Sequence, residues 1–149
     1  MTDLAIVNGA VVIPGADPAP IDIAVTDGII TGLAEPGSIT DAEQIVDATG
    51  LHVLPGAIDP HIHLGGYQPL EIDTEPGTRL AALGGVTTLV NYFKATGSYL
   101  DLVPEYIETF ERDSHIDAAF HLQLLTEPHL LELETSTRRF GITSYKINL

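Results

Sequence analysis

Residues 51–64 read LHVLPGAIDPHIHL, an apolar run that ends in two histidines separated by one residue. Side chains alternate across a β-strand, so positions i and i+2 share a face. His61 and His63 therefore present two imidazoles side by side if this run is a strand, which is half of a metal site. The plainer alternative is that one ring packs and the other is solvated. Under the first reading, the chain belongs to a hydrolase class that activates water on a metal ion.

After Gly56 the rhythm is strand, helix, strand. AIDPHIHL (57–64) reads as a strand and TEPGTRLAALGG (74–85) as a short helix. That helix takes Thr74 as its N-cap, Pro76 in its first turn and Gly84-Gly85 as its stop. VTTLVNYF (86–93) is a β-branched strand, and YLDLVPEYIETFERDS (99–114) has apolar residues at helical spacing, with Pro104 in a first turn. DAAFHLQLL (117–125), EPHLLELETSTRRFG (127–141) and ITSYKINL (142–149) continue as strand, helix and strand. Strand centres near 58, 88, 120 and 145 recur about every 30 residues, the length of one βα unit. Such alternation predicts a parallel sheet. A run of four strands and three helices that ends on a strand leaves an open edge. The expectation is an α/β chain that stops after the fourth strand of an eight-stranded barrel, although a doubly wound sheet also begins this way.

The first 55 residues read as a small β-sandwich-like domain, and residues 56–149 as the first half of the (β/α)8 barrel. Asn8-Gly9 stands between LAIV and AVVI, and Asp27-Gly28 between IAVT and IITGLA. Both dipeptides supply the positive φ angles of a two-residue hairpin. PGADPAP (14–20) and EPGSITDAE (35–43) read as loops. QIVDATGLHVLPG (44–56) reads as a third β pair turning near Thr49-Gly50.

Composition narrows the function classes. Six Lys and Arg stand against 21 Asp and Glu, for a formal charge of -15. Nucleic-acid and anionic-membrane binders carry the opposite balance, so neither partner is expected. With no cysteine, disulfides and thiolate metal sites are excluded. No stretch reaches the roughly 20 apolar residues that span a bilayer, and no basic segment precedes the apolar residues of MTDLAIVNG. A soluble cytoplasmic protein is the expectation. No Gly-rich phosphate loop joins a strand to a helix, and no G-x-S-x-G elbow is present.

Two further residues sit where chemistry needs them. Asp59, at i-2 from His61, either orients an imidazole, as metal-bound histidines require, or caps its strand end. Lys94 and Lys146 are the only lysines, and Lys146 lies in the fourth strand between apolar neighbours. An amine there is neutralised, paired, or reaches solvent at the strand end. A neutral amine that reacts with carbon dioxide becomes a carbamate, an anion with two oxygens that bridges cations. His121 reads as a satisfied core histidine, His52 and His129 as surface or loop residues, and His115 as a helix-end residue.

DATGLHVLPGAIDPHIHL, EPGTRLAALGGVTTLVNY and GITSYKINL together resemble the amidohydrolase superfamily, specifically its cyclic-amide branch of hydantoinases and dihydropyrimidinases. The resemblance runs along nearly the whole chain and covers the N-terminal portion of such an enzyme. It implies that His61 and His63 bind the more buried of two divalent ions, usually zinc. It implies that Lys146, as N6-carboxylysine, bridges the two. A hydroxide held between the ions would open a hydantoin or dihydropyrimidine ring, a small-molecule partner. The family's remaining ligands come from later strands, and its members are commonly homotetramers. Allantoinase, dihydroorotase or a non-catalytic dihydropyrimidinase-related protein are the alternative members. Leu64, Tyr67 and Leu70 are expected to line the substrate pocket. HIHLGGYQPLEID (61–73) lacks the arginine that carboxylate-binding members place there, which favours a neutral ring. NYF in the second strand departs from the commoner I-D-F.

Overall fold

β-Branched and alternating apolar residues build strands through the first unit, Met1–Pro55, and βα units build the second, Gly56–Leu149. The computed structural model describes residues 2–148. The first unit contains β1 (Thr2–Val7), β2 (Ala10–Val11), β3 (Ala19–Pro20), β4 (Asp22–Thr26), β5 (Ile29–Ala34), β6 (Ala42–Asp47) and β7 (His52–Val53). They form two sheets, ordered β5-β4-β1-β6 and β3-β2-β7. Asp27-Gly28 makes the expected hairpin: Thr26 pairs with Ile29, and the two turn residues take φ 52 and 74.

Asn8-Gly9 and Thr49-Gly50 do not make hairpins. β1 pairs with β6 in parallel, and β2 pairs with β7 in parallel in the other sheet. Two adjacent strands thus cross together from one sheet to the next. Asn8 keeps the positive φ (62) that the sequence signals, but the kink transfers the chain instead of reversing it. Gly9 is required by close approach, since a Cβ there would lie 2.6 Å from Val53. The buried carboxylate of Asp22 ties the crossing down by accepting from the N–H groups of Asn8 and Gly37.

The second unit contains β8 (Ala57–Ile62), α1 (Leu70–Leu83), β9 (Val86–Phe93), α2 (Tyr99–Asp113), β10 (Asp117–Gln123), α3 (Glu127–Phe140) and β11 (Tyr145–Lys146). The four strands are parallel and lie in sequential order, β8-β9-β10-β11. A doubly wound sheet reverses its order at a switch point. Sequential order with right-handed crossovers keeps every helix on one face, which is the start of a barrel. The core lies between that face and the helices: Leu89, Phe93 and Leu122 pack with Tyr99, Val103 and Phe110. No described helix is long and apolar enough to cross a membrane.

The helix boundaries differ from the expected ones at one point. α1 starts at Leu70, not after Thr74, and Thr74 is fully buried inside it. Its hydroxyl donates to the Leu70 carbonyl, as that of Thr78 does to Thr74. A threonine before a proline reads as a cap in sequence, yet back-bonding satisfies the same hydroxyl within a helix. Pro76 and Pro104 accordingly sit in second turns. Gly84 ends α1, and Gly85 follows with φ 84.

Candidate functional site

The C-terminal ends of the parallel strands carry the residues singled out by sequence. β9 shows how its two faces divide. Leu89, Asn91 and Phe93 are buried toward the helices, whereas Thr88 is exposed and Val90 and Tyr92 are half-buried on the other face. Asn91 takes one end of a clamp: its Oδ1 accepts from Leu64 N–H at 2.7 Å and its Nδ2 donates to Leu64 C=O at 3.0 Å. Both backbone groups of Leu64 are thereby fixed across the sheet, immediately after His63. The register between β8 and β9 also shifts between Asp59 and Ile62, and such a bulge re-aims side chains at a strand end.

His61 and His63 meet. Their Nε2 atoms lie 3.1 Å apart, with ring centroids 5.1 Å apart. Two nitrogens each about 2.0–2.1 Å from one zinc ion lie about 3–3.4 Å apart in near-tetrahedral geometry, so this pair fits two positions of such a site. Asp59 serves the backbone: its Oδ1 accepts from His61 N–H at 3.0 Å. The contact to an imidazole that its position suggested is replaced by a strand-end cap.

Tyr92 organises the rest. Its ring centroid lies 4.1 Å from that of His61, 5.5 Å from His63 and 4.4 Å from His121. Lys146 Nζ stands 5.0 Å from the same centroid. The structure therefore gathers both histidines and the lysine around one aromatic ring, with a third histidine opposite. Sequence reasoning noted Tyr92 only as a departure from I-D-F. Its phase in VTTLVNYF, odd against buried Leu89, Asn91 and Phe93, was the signal that places it on the site face. His121 is half-buried and hydrogen-bonded to Ser144. Burial pushes its imidazole below the ordinary range, nearby His61 adds to that, and Ser144 opposes it. Among the described residues, no three His, Asp or Glu side chains converge as a metal cluster.

A cavity of about 400 Å³ opens beside this group. Leu64, Tyr67 and Leu70 all line it, but with different roles: Leu64 and Leu70 are core residues, and Tyr67 is 97% exposed. His129, read as a surface residue, is buried in α3. Its Nδ1 accepts from Leu125 N–H and its Nε2 faces Gly97 C=O at 2.9 Å, which joins the loops after β9 and β10. The ring also stacks on Tyr99 at 4.4 Å. His115 faces Glu75 at 3.1 Å, away from the pair.

No family model matches the chain. It is 35% identical to a D-hydantoinase of Geobacillus stearothermophilus, across 99% of this chain and 32% of that protein. A dihydropyrimidinase structure from Brevibacillus agri superposes with a TM-score of 0.79 at 30% identity, over 97% of this chain and 32% of that one. The chain belongs to the cyclic-amide branch of the amidohydrolase superfamily. It corresponds to the N-terminal portion of such amidohydrolases and spans 32% of the length of the curated D-hydantoinase it matches. An Escherichia coli allantoinase is 41% identical over 90 residues, 59% of this chain and 19% of that protein. The parallel β8-β9-β10-β11 sheet is thus a partial amidohydrolase barrel.

Proposed function

We propose that the protein hydrolyses the ring amide of a hydantoin-type or dihydropyrimidine-type substrate, using divalent metal held in part by His61 and His63. The observation that carries this reading is the Nε2 pair at 3.1 Å at the C-terminal end of the first barrel strand, where barrels of this kind place their chemistry. The D-hydantoinase and dihydropyrimidinase likenesses support the substrate class.

Each residue has a task in that scheme. His61 and His63 offer neutral Nε2 lone pairs, held in register by the Asn91 clamp on Leu64. Lys146, as its carbamate, supplies two anionic oxygens; its Nζ attacks carbon dioxide, an N–C bond forms and the nitrogen loses a proton. Lys146 makes no ion pair among the described residues, so no carboxylate competes for the amine. Divalent ions bound there would lower the pKa of water and polarise the ring carbonyl. Tyr92 walls the group on one side and limits how far either imidazole rotates. Zinc is the ion whose nitrogen geometry matches the pair.

Metal analysis of the intact protein, paired with hydantoin ring opening followed by the appearance of the N-carbamoyl product, tests this. About two zinc-like ions per chain are expected, together with a mass increment of one CO2 on Lys146. His61→Ala and His63→Ala should each lower metal content and abolish turnover. A metal-free protein that still opens the ring would overturn the proposal, as would a metal content unaffected by both substitutions.

A further inference from the structure

We infer that Lys94 is a substrate-recognition residue that selects cyclic amides bearing a carboxylate substituent; this rests on the ring-opening function proposed above. The chain has two lysines, and both line the same cavity, with His63, Tyr92 and Gln123. Lys94 follows the last residue of β9 and is exposed. The segment after the histidine pair, 64–73, contains no cation, and Lys94 brings one to the same cavity from the next strand.

Three observations point to a ligand anion. The first is the cation census. Carboxylates outnumber Lys and Arg by 21 to six, so every cation has partners in surplus. Arg79, Arg112 and Arg138 each pair with a carboxylate, and Arg139 lies over the Phe140 ring. Lys94 takes no carboxylate among the described residues, and with Lys146 converted to a carbamate it is the only cation on the cavity wall. The second is preorganisation. The buried Tyr99 hydroxyl lies 3.1 Å from Phe93 C=O and accepts from Ala95 N–H at 3.3 Å, so the backbone on both sides of Lys94 is anchored to one phenol. The same hydroxyl reaches Gln123 C=O at 2.8 Å, tying the ends of β9 and β10 together. The third is the field of the chain. A formal charge of -15 disfavours anions near the surface, so an anionic substrate needs a local cation. A cavity of about 400 Å³ is in the size range of small-molecule sites and takes a five- or six-membered ring with a short side group.

The test uses three probes on the intact protein: hydantoin, hydantoin-5-acetate and the neutral hydantoin-5-acetamide. The two substituted rings differ in charge and hardly in shape. The wild-type protein should prefer the acetate, and Lys94→Gln should reduce the acetate-to-acetamide ratio of kcat/KM by about 10- to 100-fold, as expected for a charge-assisted hydrogen bond. The loss should appear in KM for the acetate, and Lys94→Arg should restore most of the preference. If wild type opens hydantoin but shows no preference for the acetate, or if Lys94→Gln shifts the ratio less than about threefold, this inference falls and the ring-opening function stands. If wild type opens none of the three rings, both fall.

Discussion

Asn91 shows how much one buried amide determines at this site. It is fully buried, and its two polar atoms meet the N–H and C=O of a single residue, Leu64. Replacing it with leucine keeps the volume roughly constant but leaves both backbone groups of a buried residue unpaired. Each such group costs about 1–3 kcal/mol, so Asn91→Leu should destabilise the barrel unit by about 2–5 kcal/mol. Denaturant unfolding measures the loss, and hydrogen exchange at the Leu64 amide locates it. A variant of wild-type stability with Leu64 still protected would show that the clamp holds nothing. The sequence NYF revealed a polar residue within a buried strand, but not its partner, because Leu64 is 27 residues away and meets it only across the sheet. His129 escaped notice for the same reason. Its two hydrogen bonds and its Tyr99 stack come from three separate segments. By contrast, the i, i+2 spacing of His61 and His63 is local geometry, and it put the rings together as read.

At the scale of elements, the ends are where sequence and structure agree best and where substitutions separate most cleanly. Gly141 closes α3 in the left-handed region at φ 70, with nothing near the position a Cβ would take. Gly141→Ala should therefore cost only the backbone term, about 1–2 kcal/mol. Gly56, before β8, is the opposite case: a Cβ there would lie 2.1 Å from the Thr87 hydroxyl oxygen and 2.7 Å from its Cβ. Gly56→Ala has to push the start of β8 off β9 and should cost more than Gly141→Ala. Thermal or urea unfolding of the two variants gives the order directly, and the reverse order would disprove the packing account. Turn chemistry was equally local but less decisive. Asp27-Gly28 and Asn8-Gly9 both adopt the positive φ that their residue types favour, yet only the first is a hairpin. A dipeptide specifies the backbone angles; which strands then pair is decided by β6 and β7, more than 30 residues further on.

For the whole molecule, two periodicities carried the fold. The change from paired strands to strand–helix alternation falls at Gly56, where the chain divides into its two units, and the sequential parallel order follows from connections of βα length. Net charge is the other property that belongs to the whole chain. Of 149 residues, 21 are acidic and six are Lys or Arg, and three of the four salt bridges among the described residues are made by arginines. Most carboxylates thus have no cationic partner, and their mutual repulsion is stronger in the folded state, where they are held closer together. Salt screens that repulsion: the Debye length falls from about 30 Å at 0.01 M to about 10 Å at 0.1 M. Raising sodium chloride from about 10 mM to about 500 mM should therefore raise the thermal midpoint by about 3–6 °C, equivalent to about 1–2 kcal/mol for a chain of this size. Tetramethylammonium chloride at equal ionic strength should do the same, because screening depends on charge and not on the identity of the cation. A midpoint that stays flat or falls with salt would mean that self-repulsion does not limit stability, and a response to sodium alone would point to specific cation binding.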